Sequence, residues 1–405
     1  MNYNAENLSE IVQKQRNFFN SGETLSLDFR LNQLKKIKQL LINNEEKIKE
    51  ALYLDLGRSP TEAYLLDIGP CIAEINETIK GLRKWARPEY HFSGLLCFPS
   101  IITKVYKMPY GVTLIISPFN FPFLLSFGVL LASIAAGNTA VLKLSSKSKH
   151  SSALIKELIS TDFPAEYLVA IDGGHEVADL CLDQRFDKIF YTGSPKVAKH
   201  VLAKAAKNLT PVALELGGEN GNWAIIRKDA DLKDAARKIA FFKICNAGQI
   251  CIDINQIAVA SEVAEEFNSY LISEFQKQIG NDPLNNEEYP RLINENAYTK
   301  CDKFATKYRK RIIYGGKGNK ESLKYEPTLI YPVSIDEDIV KQELFCPLLP
   351  IVPFDDTKIA ELLNVINKRE HPLPSHFRSI PCLDVKIHQN PICHDKLPCR
   401  NDQRH

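Results

Sequence analysis

The sequence lacks several features that would tie a chain to one compartment. Its ten cysteines show no paired spacing, which fits reduced thiols in a cytosolic protein better than a disulfide framework. The longest apolar run, 121–136, contains two serines and a glycine and is shorter than a bilayer requires. The first residues carry no basic segment ahead of an apolar core, so we expect no secretory signal. A cytoplasmic protein without a membrane span is therefore predicted.

An excess of one charge sign is also missing. The 51 Lys and Arg residues are interspersed with 49 Asp and Glu residues, and the formal net charge is +2. This balance predicts no nucleic-acid partner. The composition, 44% hydrophobic and 25% charged, is that of an ordinary globular protein, and 405 residues exceed one typical core. Two or more domains are expected.

From residue 110 onwards, strand-like runs alternate with helical periods. Strands are predicted at 112–116, 139–144, 167–171 and 188–191, with helices at 121–136, 151–160 and 196–207. This alternation predicts right-handed βαβ units in a parallel sheet, with a nucleotide or dinucleotide at the carboxyl ends of the strands. A second α/β unit follows, with strands at 222–226, 256–260 and 348–352 and helices at 231–245, 262–280 and 295–308. Helices at 29–54 and 61–85 and a strand pair at 95–108 precede both units.

The glycine fingerprint of many dinucleotide-binding proteins, Gly-x-Gly-x-x-Gly, is absent. In its place Gly193 and Ser194 follow a strand and open the helix at 196–207. Their backbone N–H groups and the positive end of that helix suit a phosphate. A plain turn explains the same residues, and this motif alone does not decide between the two.

Cys251 is the leading candidate for a nucleophile. It follows the turn residues 246–249, between a helical run and a β-branched run, so we expect it at an exposed junction. A thiolate needs a base, a helix terminus or another source of positive potential, and a loop beside a helix end can supply one. Cys245 lies on the apolar helical run and lacks that setting. Because a buried structural thiol is the commoner role of a cysteine, Cys251 requires partners elsewhere in the chain.

Five motifs in a fixed order supply those partners. They are Ile116-Ser117-Pro118-Phe119-Asn120-Phe121-Pro122, Tyr191-Thr192-Gly193-Ser194, Leu214-Glu215-Leu216-Gly217-Gly218, Gly248-Gln249-Ile250-Cys251 and Gln342-Glu343-Leu344-Phe345. In this order they resemble the aldehyde dehydrogenase superfamily. The N-terminal helices and the segment 207–211 look most like its class 3 branch, which includes fatty-aldehyde dehydrogenases. The resemblance covers residues 10–374.

The resemblance implies a fold and a reaction. The fold is α/β, with a Rossmann-type parallel-sheet cofactor domain at 1–90 and 109–212, bridging strands at 91–108 and a second α/β catalytic domain at 213–373. The reaction is the NAD- or NADP-dependent oxidation of an aldehyde to the carboxylic acid through a cysteine thiohemiacetal and a thioester. The expected substrate is hydrophobic and of medium or long chain. A homodimer is implied as well.

The resemblance also implies roles for individual residues. Cys251 attacks the carbonyl, and the Asn120 amide together with the Cys251 backbone N–H stabilises the oxyanion. Glu215, as a partly buried carboxylate, activates the water that hydrolyses the thioester, which favours hydrolysis over transfer to coenzyme A. Glu343 and Phe345 position the nicotinamide ribose and ring. The remaining cofactor contacts are Lys143, on the adenosine ribose, and Ser117, Ser146, Gly193 and Ser194.

Several of these residues have a simpler interpretation. Asn120 fits the cap of a helix that begins at Phe121, Lys143 fits a solvated strand end, and Glu343 fits the start of a turn. His175 and His200 are interpreted as surface or satisfied histidines, and no metal site is predicted. The order and spacing of the motifs favour the catalytic interpretation.

Ser146 departs from the family pattern. The family continues the Lys143 segment with Pro-Ser-Glu, whereas this chain has Leu144-Ser145-Ser146. The missing carboxylate would bind a ribose 2′-hydroxyl and repel a 2′-phosphate. We therefore predict that NADP is tolerated better than in a relative with Glu at this position.

The last segment departs further. Residues 374–405 show no helical or alternating period and are predicted to be a divergent tail outside the normal fold. A zinc site at Cys382, Cys393, His394 and Cys399 fits no standard spacing, and a shifted reading frame explains the composition more simply. The family's substrate-side loop and dimerisation segment are not found in this tail. The alternative to an active enzyme is therefore a catalytically silent, truncated homologue that at most binds nucleotide. With this tail we also predict that the chain is poorly soluble or not a normal dimer, and that it has little activity.

Overall fold

The computed structural model describes residues 3–94, 98–99, 102–218 and 221–369, together with the backbone of 375–378. The zinc candidates of the tail lie outside these residues. The helices are α1 Ala5–Asn20, α2 Leu27–Asn43, α3 Glu45–Leu56, α4 Pro60–Ala63, α5 Gly69–Trp85, α6 Leu124–Ala136, α7 Lys149–Asp162, α8 His175–Leu182, α9 Pro195–Ala206, α10 Leu232–Ile244, α11 Ala264–Ile279, α12 Glu295–Lys307 and α13 Ile359–Asn367. The strands are β1 Glu89–Phe92, β2 Ile102–Val105, β3 Val112–Ile116, β4 Thr139–Lys143, β5 Leu168–Ile171, β6 Lys188–Gly193, β7 Val212–Leu216, β8 Asn222–Ile226, β9 Ile254–Ala260, β10 Ile312–Tyr314, β11 Gly318–Asn319, β12 Lys324–Tyr325, β13 Thr328–Ile330, β14 Leu348–Phe354 and β15 Ser375–Arg378.

Five parallel strands form the first sheet, in the order β5-β4-β3-β6-β7. Helices cover both faces, so its central strands are apolar on both sides. Ile115 and Leu142 pack with α2, α3, α5, α6 and α7 on one face. Val112 and Leu114 pack with α1, α8 and α9 on the other face. The mostly apolar sequence of β3 follows from this double burial.

Six strands form the second sheet, in the order β10-β13-β14-β9-β8-β15. All neighbours are parallel except β10 and β13. Helices α10 and α11 cover one face, and α12 and α13 cover the other. The predicted two-sheet α/β fold is confirmed. The exact domain boundaries stay a prediction.

Several local features differ from the sequence-based expectation, and one is that the helix predicted at 121–136 begins at Leu124. The helix predicted at 29–54 is two helices, because Asn44 Nδ2 donates to the Leu40 carbonyl at 2.8 Å and takes the place of a backbone N–H. The strand pair predicted at 95–108 begins earlier, because β1 lies at Glu89–Phe92, whereas its partner β2 lies within the predicted range. Residues 95–97 and 100–101 lie outside the described residues. The backbone of β15 lies within the predicted tail, yet it pairs in parallel with β8. The second sheet therefore continues past residue 374.

The first sheet changes its strand order between β3 and β6, the position at which open α/β sheets bind ligands. Ile116, at the end of β3, pairs with Lys143 of β4 and with Tyr191 of β6. Thr192 of β6 pairs with Glu215 of β7. The segments that follow these strands consequently meet at one edge of the sheet.

Candidate active site

All ten residues that the sequence predicts for the site line one cavity of about 690 Å³. The first sheet and its connections contribute Ser117, Asn120, Lys143, Ser146, Gly193, Ser194 and Glu215. The second unit contributes Cys251, Glu343 and Phe345. The cavity therefore joins the carboxyl edge of the first sheet to the cysteine segment of the second.

Cys251 lies on the connection between α10 and β9, which begins with an uncommon backbone conformation. Asn246 and Ala247 have φ angles of 49° and 50°, in the left-handed region that most residues avoid. Gly248 has a φ of 70°, and a Cβ there would lie 2.6 Å from the Cys346 carbonyl oxygen. This turn leads the chain back to the cavity at Cys251.

The Cys251 thiol is partly buried, and the exposed junction expected from the sequence is not found. Burial raises the pKa of the thiol, and the negative charges of Glu343 and Glu215 act in the same direction. The backbone N–H groups of Cys251 and Ile252 lower the pKa but do not overcome burial. The resting thiol is therefore protonated and requires a base. Cys245 is buried, as expected, and burial raises the pKa of its thiol to about 12.

The Asn120 side chain is buried and reaches across to the cysteine segment. Its Nδ2 donates to the Gln249 carbonyl at 3.1 Å. An amide nitrogen carries two N–H groups, so this contact fixes the side chain while a second donor remains for a ligand. Asn120 thus has the anchoring that an oxyanion donor needs.

The start of α6 shows that Asn120 is not a helix cap. The first free N–H groups of this helix belong to Phe123 and Leu124, and they donate to Asp67 Oδ1 at 3.1 and 2.7 Å. A carboxylate at a helix N-terminus satisfies these groups and favours the helix dipole. The simpler interpretation of Asn120 is therefore wrong.

Glu215 and Glu343 are the two carboxylates whose charges act on the thiol. Glu215 is exposed rather than partly buried, because β7 is an edge strand. Glu343 packs against Gly217, where a Cβ would lie 2.5 Å from Glu343 Oε1. Burial raises the pKa of Glu343 to about 7 despite the opposing charge of Lys300. Among the described residues, Glu343 Oε1 has no hydrogen-bond partner.

The burial of Glu343 was not apparent from the sequence. Its local motif indicated a turn or a cofactor contact, whereas its environment comes from Gly217 on a distant segment. A carboxyl group that titrates near neutrality can both accept and return a proton. Glu343 is consequently a second candidate for proton transfer.

Lys143, at the end of β4, is 3% exposed and is therefore not a solvated strand end. Its Nζ donates to the Leu144 and Gly173 carbonyls, each at 2.7 Å. Burial lowers the pKa of this ammonium group. Ser117 is buried beside it, and the Ser117 Oγ has no hydrogen-bond partner among the described residues. Both side chains retain hydrogen-bonding capacity toward the cavity.

The other predicted cofactor contacts lie around the same edge. Gly193 and Ser194 connect β6 to α9, whose first residue is Pro195. Ser146 is exposed in the connection that follows β4. Phe345, with a φ of 55°, packs edge-on against Phe119 at 5.9 Å between ring centroids. These residues surround the cavity without closing it.

Two histidines of the cavity wall behave as expected from the sequence. His175 is exposed at the start of α8. His200 Nε2 lies 2.6 Å from Asp179 Oδ1, across the gap between α8 and α9. Within the described part of the chain, no group of three or more metal-ligating side chains occurs. The described helices include none that is both long and apolar enough to cross a bilayer.

An apolar cluster adjoins the cysteine segment. Its buried members are Phe121, Cys245 and Ile250, with Leu66, Leu124 and Leu125 packed against them. Nearby positions along the same segments expose Tyr64, Leu65, Phe241, Phe242 and Ile252. The surroundings of the thiol on this side are therefore apolar.

Known proteins resemble this chain over most of its length. The family model described as aldehyde dehydrogenase family matches residues 1–377. The chain is 36% identical over 364 residues to 4,4'-diaponeurosporen-aldehyde dehydrogenase of Staphylococcus aureus, which covers 89% of this chain and 78% of that protein. It is 34% identical over 378 residues to aldehyde dehydrogenase family 3 member H1 of Arabidopsis thaliana. That match covers 93% of this chain and 77% of the Arabidopsis protein.

Solved structures show the same fold. The substrate-bound state of Staphylococcus aureus AldH matches with a TM-score of 0.89 at 34% identity, covering 94% of this chain and 81% of that one. Glyceraldehyde-3-phosphate dehydrogenase GapN of Methanocaldococcus jannaschii, solved with NADP, matches with a TM-score of 0.80 at 25% identity, covering 94% and 82%. The chain therefore belongs to the aldehyde dehydrogenase family of enzymes, and class 3 members are among its relatives.

Proposed function

We propose that this enzyme oxidises hydrophobic aldehydes to carboxylic acids with NAD or NADP, through covalent intermediates on Cys251. The observation that carries the proposal is the single cavity that holds the thiol, the Asn120 amide, two carboxyl groups and the ligand-binding edge of a parallel sheet. Family membership supports aldehyde oxidation. The cofactor, the substrate class and the roles below are our inference.

In the first step Cys251 forms a carbon–sulfur bond to the aldehyde carbonyl, and its proton passes to a carboxylate. The second N–H of Asn120 and the Cys251 backbone N–H donate to the new oxyanion, and each such donor typically contributes about 3 kcal/mol. A bound nicotinamide supplies the acceptor for the hydride that converts the thiohemiacetal into a thioester. Water, deprotonated by a carboxylate, then releases the acid and restores the thiol.

Glu215 is our first candidate for the base of the hydrolytic step, and Glu343 is the second. The exposure of Glu215 gives it direct access to water. The pKa of Glu343, raised by burial to about 7, suits a group that must hold and release a proton near neutral pH. Its free Oε1 also fits the proposed contact with a ribose hydroxyl.

The cofactor would lie along the edge formed by β3, β4 and β6. The start of α9, with Gly193 and Ser194, suits a phosphate. Lys143 and Ser117 offer unused hydrogen-bonding capacity for a ribose. Phe345 would contact the nicotinamide ring. Ser146 presents no carboxylate to a 2′-phosphate, so both NAD and NADP are proposed cofactors.

The substrate is proposed to be hydrophobic because the thiol adjoins the apolar cluster centred on Phe121 and Ile250. An aliphatic chain placed there gains roughly 0.8 kcal/mol for each methylene removed from water. The Staphylococcus aureus relative is named for 4,4'-diaponeurosporen-aldehyde, which agrees with an apolar substrate.

A homodimer and a cytoplasmic location complete the proposal. The hairpin formed by β1 and β2 carries exposed apolar side chains, Phe92 at 79% and Ile102 at 60%, which a second copy would cover. The cysteines of the described residues are free thiols, in keeping with a reducing compartment.

The central test compares the parent protein with Cys251→Ala. The parent should form NAD(P)H from a medium-chain aldehyde such as octanal, and Cys251→Ala should form none while it still binds the reduced cofactor. Cofactor binding without turnover in the parent would instead support a catalytically silent homologue. Turnover by Cys251→Ala would remove Cys251 as the nucleophile.

A further inference from the structure

Arg58 is a fully buried arginine that contacts the active-site segments without lining the cavity. It lies between α3 and α4. Its guanidinium group reaches three partners: Nη1 forms an ion pair with Asp67, Nη2 donates to the Asn120 carbonyl at 2.5 Å, and Nε donates to Asn246 Oδ1 at 3.1 Å. The Phe121 ring lies 4.6 Å from the guanidinium carbon. Arg58 is thus bonded to both segments that carry the proposed chemistry.

Those two segments are also bonded to each other around a single carbonyl. Asn246 Nδ2 donates to the Gln249 carbonyl at 3.0 Å, and Asn120 Nδ2 donates to the same oxygen at 3.1 Å. Asn246 Nδ2 also lies 3.0 Å from the Asn120 carbonyl that Arg58 contacts. The side chains of Arg58, Asn246 and Asn120 therefore form one connected set of hydrogen bonds. A shift of one member changes the direction of the others.

The connected segment is strained. Asn246 and Ala247 both adopt left-handed backbone angles, which cost roughly 1–2 kcal/mol for each residue that is not glycine. Such angles persist only where surrounding contacts hold them. Besides Arg58 and the two bonds of Asn246 Nδ2, the holding contacts include a hydrogen bond from the Asn246 N–H to Glu62 Oε1 at 2.5 Å and one from Gln249 Nε2 to the Asn246 carbonyl at 2.9 Å.

Asp67 connects this set to the start of α6. Its Oδ2 pairs with Arg58, while its Oδ1 accepts the first N–H groups of the helix that follows Asn120. Burial raises the pKa of Asp67 and of Glu62, and the charge of Arg58 opposes this rise for both carboxyls. A buried arginine charge without a carboxylate would be strongly unfavourable, so Arg58 and Asp67 depend on each other.

We propose that the buried Arg58–Asp67 pair is a positioning unit that holds the Asn120 amide and the cysteine segment 246–251 in the mutual arrangement that catalysis requires. The pair touches neither substrate nor cofactor and acts through Asn120 and Asn246. This inference rests on the proposed roles of Asn120 and Cys251. According to this inference, catalysis needs a buried ion pair outside the cavity in addition to the residues that line the cavity.

The first test is Arg58→Met, which keeps an unbranched side chain, although one shorter than arginine, and removes all three contacts. The kcat for aldehyde oxidation should fall about 10- to 100-fold, because small displacements of a catalytic group cost about that much. The KM for the aldehyde and the Kd for NADH and NADPH should stay within about threefold, since Arg58 does not line the cavity. Arg58→Lys should recover part of the loss, because an ammonium group can pair with Asp67 but cannot reach three partners.

The matched control is Arg227→Met. Arg227 makes two hydrogen bonds to the buried Asp356, at 3.0 and 2.8 Å, in the second sheet domain and outside the cavity. This variant should lose thermal stability without a change in kcat. An Arg58→Met variant that loses stability but keeps its kcat would overturn the proposal, because that pattern indicates a purely structural pair.

A double-mutant cycle tests the route of the effect. If Arg58 acts through Asn120, Arg58→Met should slow the Asn120→Ala enzyme by less than about threefold. Full additivity of the two losses would overturn the inference. If Arg58→Met does not fold, Arg58→Lys and Asp67→Asn replace it in the cycle, with the same expected outcomes. An Asn120→Ala variant with normal kcat would instead remove Asn120 from the proposed function, which separates that failure from a failure of the Arg58 inference.

Discussion

At the scale of single residues, the proposed chemistry depends on which carboxylate serves the thiol and the water. Glu215 is open to solvent, whereas Glu343 is held against Gly217 with a pKa of about 7. Both charges act on Cys251, and that of Glu343 acts more strongly. Two variants of equal size and without charge can separate these contributions.

Glu215→Gln should release one equivalent of NAD(P)H per active site and then stall. The reason is that thioester formation does not need the hydrolytic base, whereas thioester hydrolysis does. Rapid mixing with absorbance detection of the reduced cofactor measures both phases, and Cys251→Ala serves as the control without a burst. Normal steady-state turnover in Glu215→Gln, with the burst and stall in Glu343→Gln instead, would transfer the role to Glu343.

Glu343 should also make the stability of the protein depend on pH. Burial raises its pKa in the folded state from an ordinary value of 4.5 to about 7, so the folded protein binds this proton more tightly than the unfolded chain does. The stabilisation that this proton gives the folded state is fully present below about pH 4.5, the pKa in the unfolded chain. It is lost as pH rises through about 7, the pKa in the folded protein. Glu343→Gln removes that loss, so its stability relative to the parent should improve between pH 5 and pH 8, by on the order of 1–3 kcal/mol.

Thermal melts of both proteins across this pH range measure the effect. Burial also raises the pKa of Asp253, to about 6, but this carboxyl is present in both proteins. Lys300, whose charge acts on Glu343, is present in both proteins as well. Their contributions therefore largely cancel in the comparison. A difference in melting temperature that is independent of pH would contradict the raised pKa of Glu343.

The residues of the cavity could be predicted from the sequence, whereas their environments could not. Motif order was enough to bring Cys251, Asn120 and Glu215 together. Glu215 is exposed because β7 lies at the edge of its sheet, and Glu343 is buried because it packs against Gly217. Neither cause can be read from the residues next to these two in the sequence. Arg58 follows a glycine and precedes Ser-Pro, so its sequence context indicates an ordinary loop, although the side chain is fully buried.

At the scale of elements, the connection between β4 and α7 should set the choice of cofactor. Ser146→Glu should weaken NADP by at least about tenfold, because a carboxylate there faces the 2′-phosphate. It should change the KM for NAD less than about threefold. Ser146→Gln is the matched control, because glutamine is similar in size to glutamate and carries no charge. This variant should leave the ratio of the KM for NADP to the KM for NAD unchanged. Equal weakening of both cofactors by Glu would contradict this placement of Ser146.

The bounds of an element could be predicted most accurately from the sequence where the element is buried on both faces. The predicted bounds of β3 and β8 coincide with the observed strands, because each is a mostly apolar run covered on both faces. The break between α2 and α3 was missed, since it depends on the Asn44 side chain replacing a backbone donor at Leu40. Apolar periodicity continues through that break and carries no signal of it.

At the scale of the whole molecule, the exposed hairpin should control association. Phe92 and Ile102 lie opposite each other on β1 and β2 and are largely exposed. Replacing both with Lys should shift the protein from the proposed dimer to a monomer, because charged side chains oppose burial between copies. Size-exclusion chromatography with light scattering measures the mass. Leu209→Lys is the control, since Leu209 is 89% exposed but belongs to the connection between α9 and β7 and not to the hairpin. An unchanged mass in the hairpin variant would place the interface elsewhere.

Arg58 and the cysteine segment lie far apart in the sequence, and this separation affects the order in which the enzyme folds during synthesis. The five strands of the first sheet lie within residues 112–216, so a ribosome completes them before it adds the nucleophile. The Arg58–Asn246 hydrogen bond spans 188 residues and the Asn120–Gln249 bond spans 129. Domains generally fold in the order of synthesis, and contacts between distant segments form late. The thiol would therefore meet its proposed oxyanion donor and base only after the nascent chain has completed the sheet that we propose as the cofactor site.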